Sequence, residues 1–184
     1  MKSNLFLATI YILVLAITNP KNVMANDEGH LEKVKRALGG LIIHEMPIQY
    51  HTQKTFLAPN GDRLSIRDFS GKTTFVNFWA TWCAPCVREM PAISALKKAT
   101  KEKINVITIA VGRHSKEDFE RFYKNTGIKN LVEYTDEKHT FSAAYDALGL
   151  PTTLIFDKNG QEIARLQGEA RWDHPKVIEW LGNL

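Results

Sequence analysis

The chain has 184 residues, 44% hydrophobic and 24% charged, enough for one domain with its own apolar core plus an appendage, and this composition excludes extended disorder. A formal charge of +4 falls to +2 over residues 26–184 once Lys2 and Lys21 are set aside. Lys and Arg are interspersed with Asp and Glu, with no basic stripe laced with aromatics, so no nucleic-acid partner is expected.

The N-terminus carries Lys2, an apolar stretch over 5–17, the breaker Asn19-Pro20 and Val23-Met24-Ala25. This pattern predicts a secretory signal over 1–25. Thirteen apolar residues fall short of the roughly 20 that cross a hydrocarbon core, so an uncleaved anchor is the lesser alternative. Both place the remainder outside the cytoplasm, in the periplasm or an equivalent compartment. There a dithiol kept for chemistry needs an electron donor to keep it reduced.

Residues 26–38 read as a short amphipathic helix with Leu31, Val34 and Leu38 at helical spacing, ended by Gly39-Gly40, within a lead-in segment reaching residue 50. Phe56-Leu57, the turn Pro59-Asn60-Gly61-Asp62 and Arg63-Leu64-Ser65-Ile66 read as a β-hairpin. The run 73–79 is almost uniformly apolar and β-forming, as a buried central strand would be. Helix signals run from 83 to 100 through Pro91, which predicts a kink, because Ile93 and Leu96 continue the apolar spacing. A second buried strand is expected over 104–111, a helix over 116–126 closed by Gly127, a short strand over 131–134 and a helix over 140–148. Strands over 150–156 and 163–167 around Asp157-Lys158-Asn159-Gly160 form a terminal hairpin, and a last helix spans 173–181 with Asp173 as N-cap and Pro175 in its first turn.

The two cysteines lie in Trp82-Cys83-Ala84-Pro85-Cys86, where a strand gives way to a helix. Unpaired backbone N–H groups and the positive end of the helix dipole there stabilise a thiolate at Cys83. A free thiol of pKa about 8.5 is only a few per cent ionised at neutral pH, whereas this context brings values to roughly 3.5–7.5. Cys86, one turn into the helix, would be the shielded resolving thiol. A purely stapling disulfide is the bland alternative, but so small a loop gains only about 2 kcal/mol by chain entropy. Zinc is a poor fit, since it takes four ligands and the six histidines show no finger-like spacing. Cuprous ion held by the two soft sulfurs stays open. Glu89 follows Cys86 by three residues and shares its helix face, so it could relay protons or raise a thiol pKa; equally, it could be a solvated residue paired with Arg88 or Lys97. Trp79 reads as core, and Trp82 as an aromatic that contacts a partner or packs inside.

Three ordered motifs, Phe78-Trp79-Ala80-Thr81-Trp82-Cys83-Ala84-Pro85-Cys86, Glu89-Met90-Pro91 and Leu150-Pro151-Thr152-Thr153, resemble the TlpA/ResA/CcmG group of extracytoplasmic thioredoxin-like proteins, most closely its TlpA branch. The likeness covers about residues 56–184, and Trp172 fits it too. It implies an α/β thioredoxin fold over 51–184 with an N-terminal β-hairpin and an inserted strand-helix element. It also implies thiol-disulfide oxidoreductase activity, with Cys83, Cys86 and the active-site Glu89 as catalytic residues. Pro151 resembles a cis-proline opposite the dithiol, which would let Leu150, with Trp82, bind an extended substrate chain. Ordinary thioredoxins carry a buried Asp where this chain has Asn77, so Glu89 or water must take the proton of Cys86. The implied partners are protein disulfides of a copper chaperone, a copper-accepting oxidase subunit or apocytochrome c, together with a membrane electron donor, and a monomer is expected. No cofactor is expected beyond the dithiol itself, with transient Cu(I) possible. A Cu(I) carrier that uses the same sulfurs without turnover is the rival function; a peroxidase, which wants a lone Cys with Thr and Arg, fits less well.

Overall fold

The computed structural model describes the backbone of residues 20–184 and the side chains from residue 29 onward. Most of the expected signal segment lies outside the described residues. Helix α1, Pro20–Leu38, begins six residues before the helix expected from 26, and it ends at the glycines Gly39-Gly40. Val34 and Leu38 are buried on one face of it, packed toward the last helix, where His30 Nδ1 lies 3.9 Å from Glu179. Among the described residues, no helix is long and apolar enough to cross a membrane.

The lead-in segment holds a strand the sequence did not announce, β1 at Ile42–Ile48, antiparallel to a later strand at the sheet edge. Pro47 and the absence of alternation hide it, and an edge position is where a strand tolerates proline. Strands β2 (Phe56–Leu57) and β3 (Arg63–Leu64) form the expected hairpin, with Gly61 at φ 89° in its turn. Strand β4 (Thr74–Trp79) is buried along its whole length. Helix α2 (Ala84–Thr100) runs through Pro91 as expected and ends at Lys101 in the left-handed region. Strand β5 (Asn105–Val111) pairs in parallel with β4, and helix α3 (Lys116–Thr126) is capped by Ser115 and closed by Gly127.

The next elements depart from expectation for local reasons. The short strand is β6 at Tyr134–Asp136, not 131–134. The buried Asp136 carboxylate accepts the N–H groups of Phe141 and Ser142 and so ties the strand end to the helix that follows. That helix, α4, stops at Thr140–Ala144 because the chain turns at Asp146, φ 55°, and Ala147 N–H closes back on Ser142 O at 3.0 Å. Strands β7 (Thr152–Phe156) and β8 (Glu162–Gln167) form the terminal hairpin. Helix α5 is Pro175–Asn183, with His174 as its N-cap in place of Asp173, whose carboxylate is engaged by Arg171 at 2.9 Å.

The strands make one mixed sheet in the order β1-β8-β7-β4-β5-β6-β2-β3, with β4 central between antiparallel β7 and parallel β5. Alternation along β4 divides the core. Phe75 and Trp79 face α2, α3 and α5, while Val76 and Phe78 face Phe56, Phe141 and Tyr145. This is the thioredoxin arrangement, with β6 and α4 as the inserted strand and helix. Asn77, in register with Phe75 and Trp79, therefore points toward α2, where the cysteines lie.

Candidate functional site

The chain leaves β4 at Trp79 and reverses in the turn Ala80-Thr81-Trp82-Cys83, closed by Cys83 N–H to Ala80 O at 3.1 Å. Cys83 is the N-cap of α2, and its Sγ accepts the N–H of Cys86 at 3.4 Å. A sulfur at a helix N-terminus that already receives a backbone N–H is placed to carry negative charge when reduced. Here it is joined to Cys86 as a disulfide. Cys83 keeps 7% exposure and borders an open cavity, whereas Cys86 is wholly enclosed, the asymmetry that an attacking and a resolving thiol require.

That cavity, of about 420 Å³, is edged by Trp82, Pro85, Leu148 and Leu150. Trp82 is 66% exposed and Leu148 83%, so core packing is excluded for Trp82, while Trp79 is core as expected. The Leu150–Pro151 bond is cis. Pro151 O accepts Gly168 N–H at 2.8 Å and ladder pairing begins at Thr152, leaving Leu150 just outside the sheet beside the cavity. Leu148, read from the sequence as a helix end, and His139, read as a histidine without finger-like spacing, both line this cavity. An apolar residue next to Gly149, ahead of the proline, was the available sign for Leu148.

Behind the disulfide, Glu89 is 2% exposed, which overturns the reading of it as a solvated residue paired with Arg88 or Lys97. Arg88 instead pairs with Glu169, Nε to Oε2 at 2.9 Å. The Glu89 carboxylate is held by neutral donors: Asn77 Nδ2 at 2.8 Å on one oxygen, the Ala170 N–H at 3.1 Å and the Trp172 indole at 3.2 Å on the other. Burial outweighs these three hydrogen bonds and pushes the carboxyl up to about 7. Asn77 also donates to Thr153 Oγ1 at 3.0 Å, while its own Oδ1 is buried with no partner among the described residues. Trp172 is locked in place edge-on to Phe75, ring centroids 4.8 Å apart. A second cavity of about 420 Å³, between residues 88–92 of α2 and residues 169–173, borders Glu89.

Among the described residues no group of three or more His, Cys, Asp or Glu side chains could hold a metal ion.

The Redoxin family matches residues 47–179. A thiol-disulfide oxidoreductase ResA from Bacillus thuringiensis subsp. konkukian is 34% identical over 118 residues, covering 59% of this chain and 62% of that protein. The chain thus spans about three fifths of the length of the curated relatives it matches. Among solved structures, an exposed lipoprotein thioredoxin from Streptococcus pneumoniae strain TIGR4 is 25% identical with a TM-score of 0.59, covering 71% of this chain and 98% of that one. A secreted Mycobacterium tuberculosis disulfide oxidoreductase, 20% identical with a TM-score of 0.59 over 72% of this chain and 96% of its own, has the same fold.

Proposed function

The chain belongs to the Redoxin family, and from that premise we propose that it is a thiol-disulfide oxidoreductase of protein substrates, with Cys83 as the attacking sulfur and Cys86 as the resolving one. The observation that carries the reading is the position of Cys83: helix N-cap, N–H donor on its sulfur, at the edge of an exposed apolar surface formed by Trp82 and Leu148.

In the reduced protein the Cys83 thiolate attacks one sulfur of a partner disulfide. That bond breaks, a mixed disulfide forms, and the partner's other sulfur leaves as a thiolate that takes a proton from water. Cys86 then gives up its proton and attacks the Cys83 sulfur. The mixed disulfide breaks, the second partner sulfur leaves as a thiolate and is protonated, and the Cys83–Cys86 bond closes. Two electrons have passed to the partner, and an external dithiol donor returns them. Glu89 is the base for the Cys86 proton: it lies one helical turn on, out of bulk water, with a carboxyl pushed up to about 7, poised to accept near neutrality. Asn77 serves both states of that carboxyl. Its amide N–H binds the ionised form, and its spare Oδ1 gives a turned amide an acceptor for the protonated one. Leu150, Trp82 and Leu148 receive the partner chain in extended form.

The direction of net transfer is reduction, in an extracytoplasmic compartment. The oxidised cysteines of a copper chaperone, an oxidase subunit or apocytochrome c are the substrates, and a membrane protein is the electron donor. The names of the ResA relatives support the thiol-disulfide chemistry and those of the exposed and secreted neighbours the compartment; the direction, the substrates and the donor are what the resemblance of the three motifs implies. Cys86→Ser tests it: the variant is expected to accumulate mixed disulfides through Cys83 and to lose turnover, and the partners held covalently identify the substrate. A variant that traps nothing, in a protein that binds Cu(I) tightly and reduces no disulfide, would establish the carrier instead.

A further inference from the structure

His114 lies three residues beyond the end of β5 and is remote in sequence from the cysteines. Its Nε2 is 3.1 Å from the backbone oxygen of Val111, and its Nδ1 is 3.0 Å from Thr81 Oγ1. A carbonyl oxygen only accepts, so Nε2 carries a hydrogen. In the neutral ring Nδ1 is then the acceptor of the Thr81 hydroxyl proton. Were the ring to gain a proton, Nδ1–H would donate to the same hydroxyl oxygen, so the contact has a partner in either state. The ring is backed by Phe119, centroids 5.2 Å apart, which in turn leans on Trp79. His114 is therefore fixed to β5 and to the core, and its one free nitrogen is spent on Thr81.

Thr81 and Trp82 are the two central residues of the turn that ends at Cys83. Trp82 stands between two cavities. One contains Cys83, Leu148 and Leu150; the other, of about 330 Å³, lies against Val87, Arg121 and Phe122 on the α3 side. The side chain of Trp82 forms no hydrogen bond among the described residues, so its stance is set by the turn that carries it.

We propose that His114 and Thr81 are positioning residues: their hydrogen bond latches the turn before the dithiol to β5 and so holds Trp82 in the stance that receives a protein substrate. The proposal rests on the thiol-disulfide reading, but the latch itself does not require turnover to be observed. Its consequence is selective. Loss of the latch impairs docking of a folded partner while leaving the sulfur as reactive as before toward a small disulfide.

The test uses the full chain with Thr81→Val, Thr81→Ser, His114→Ala and the double variant Thr81→Val/His114→Ala. Insulin serves as the protein disulfide and a small aromatic disulfide as the docking-free probe. Thr81→Val and His114→Ala are each expected to lower kcat/KM on insulin by about fivefold, the worth of one ordinary hydrogen bond. The double variant is expected to be no worse than either, because both remove one interaction. Thr81→Ser, which keeps the hydroxyl, is expected to retain wild-type kcat/KM, and the small disulfide is expected to react at unchanged rate in all four. The indole ¹H–¹⁵N resonance of Trp82, assigned by its loss in Trp82→Phe, is expected to shift alike in Thr81→Val and His114→Ala and to stay in place in Thr81→Ser. Additive losses, equal slowing of the small disulfide, a Thr81→Ser variant as impaired as Thr81→Val, or an unmoved Trp82 resonance would each overturn the latch. Wild-type protein inert toward insulin and toward the small disulfide alike would sink the thiol-disulfide reading, and the Trp82 resonance would still decide the latch.

Discussion

Two glutamates lie in the interior almost without contact with water, Glu89 at 2% and Glu162 at 0% exposure, and their surroundings are opposite in kind. Glu162 is wrapped in charge and strong donors. Arg165 meets both its oxygens, Nε to Oε1 at 2.6 Å and Nη2 to Oε2 at 2.7 Å, His44 Nε2 lies 2.7 Å from Oε1, and the Tyr50 hydroxyl donates to Oε2 at 3.0 Å. These partners come from β1, the segment after it and β8, so the carboxylate fastens the edge strand to the sheet. Burial, with the neighbouring Glu162 charge second, pushes the Tyr50 hydroxyl up to about 12, which keeps it a donor. Among the described residues, no cation is hydrogen-bonded to Glu89. Its three partners are an amide, a backbone N–H and an indole, which can steady a charge without neutralising it. A buried carboxylate met at both oxygens by a guanidinium is held in place by its counter-ion and acts as structure. One with only neutral donors sits near its own titration point and can exchange a proton.

That contrast is open to measurement. The largest effect is expected at Glu162→Ala, which leaves the half-buried Arg165 without its counter-ion: about 3–5 kcal/mol of stability lost, read from the denaturant midpoint, with turnover per folded molecule unchanged. Lost turnover at intact stability would move the chemistry to Glu162.

Glu89→Gln comes next, and its mark is a pH dependence. The folded-state value of about 7 lies above the 4.5 of an unperturbed carboxyl, so between the two the folded chain binds more protons than the unfolded one. The stability this confers is full below the lower value and lost as pH rises through the upper, a decline of up to about 3 kcal/mol. The Gln variant is expected to lack the decline and to lose the inflection near neutrality in its pH–rate profile; an unaltered profile would leave Glu89 without its proton role.

Tyr50→Phe is smaller, about 1 kcal/mol for a hydroxyl that both donates to Glu162 and accepts from Arg165, again without effect on rate. Smallest is Arg88→Ala. Its exposed pair with Glu169 is screened by solvent, so the unfolding midpoint is expected to stay where it is.

The sequence and the structure agree where information is local. The cysteine pair, the apolar run of β4 and the hairpin glycines are each written in a few consecutive residues, and the fold followed from them together with the resemblance of three motifs. What stayed hidden depends on distance along the chain. Glu89 meets Asn77 twelve residues before it and Trp172 eighty-three after it, so spacing alone left its solvated alternative standing. The strand at Ile42–Ile48 is fastened by Glu162 of β8 through His44, and nothing near it announces a partner. The end of β6 slipped to Asp136 because that carboxylate caps α4, a bond that hydrophobic pattern does not encode. In the sequence His114 is only a histidine without metal-like spacing, since its partner is a hydroxyl thirty-three residues away.

The claim beneath all of this is that one sulfur at the start of α2 is the nucleophile and its neighbour is not. Alkylation of the fully reduced, folded protein across pH, with the modified cysteine identified by mass, tests it directly. Cys83 is expected to react first, with a midpoint inside the roughly 3.5–7.5 range of activated thiols, while Cys86 stays protected. Labelling of Cys86 first, or a Cys83 midpoint at the ordinary thiol value of about 8.5, would contradict the account.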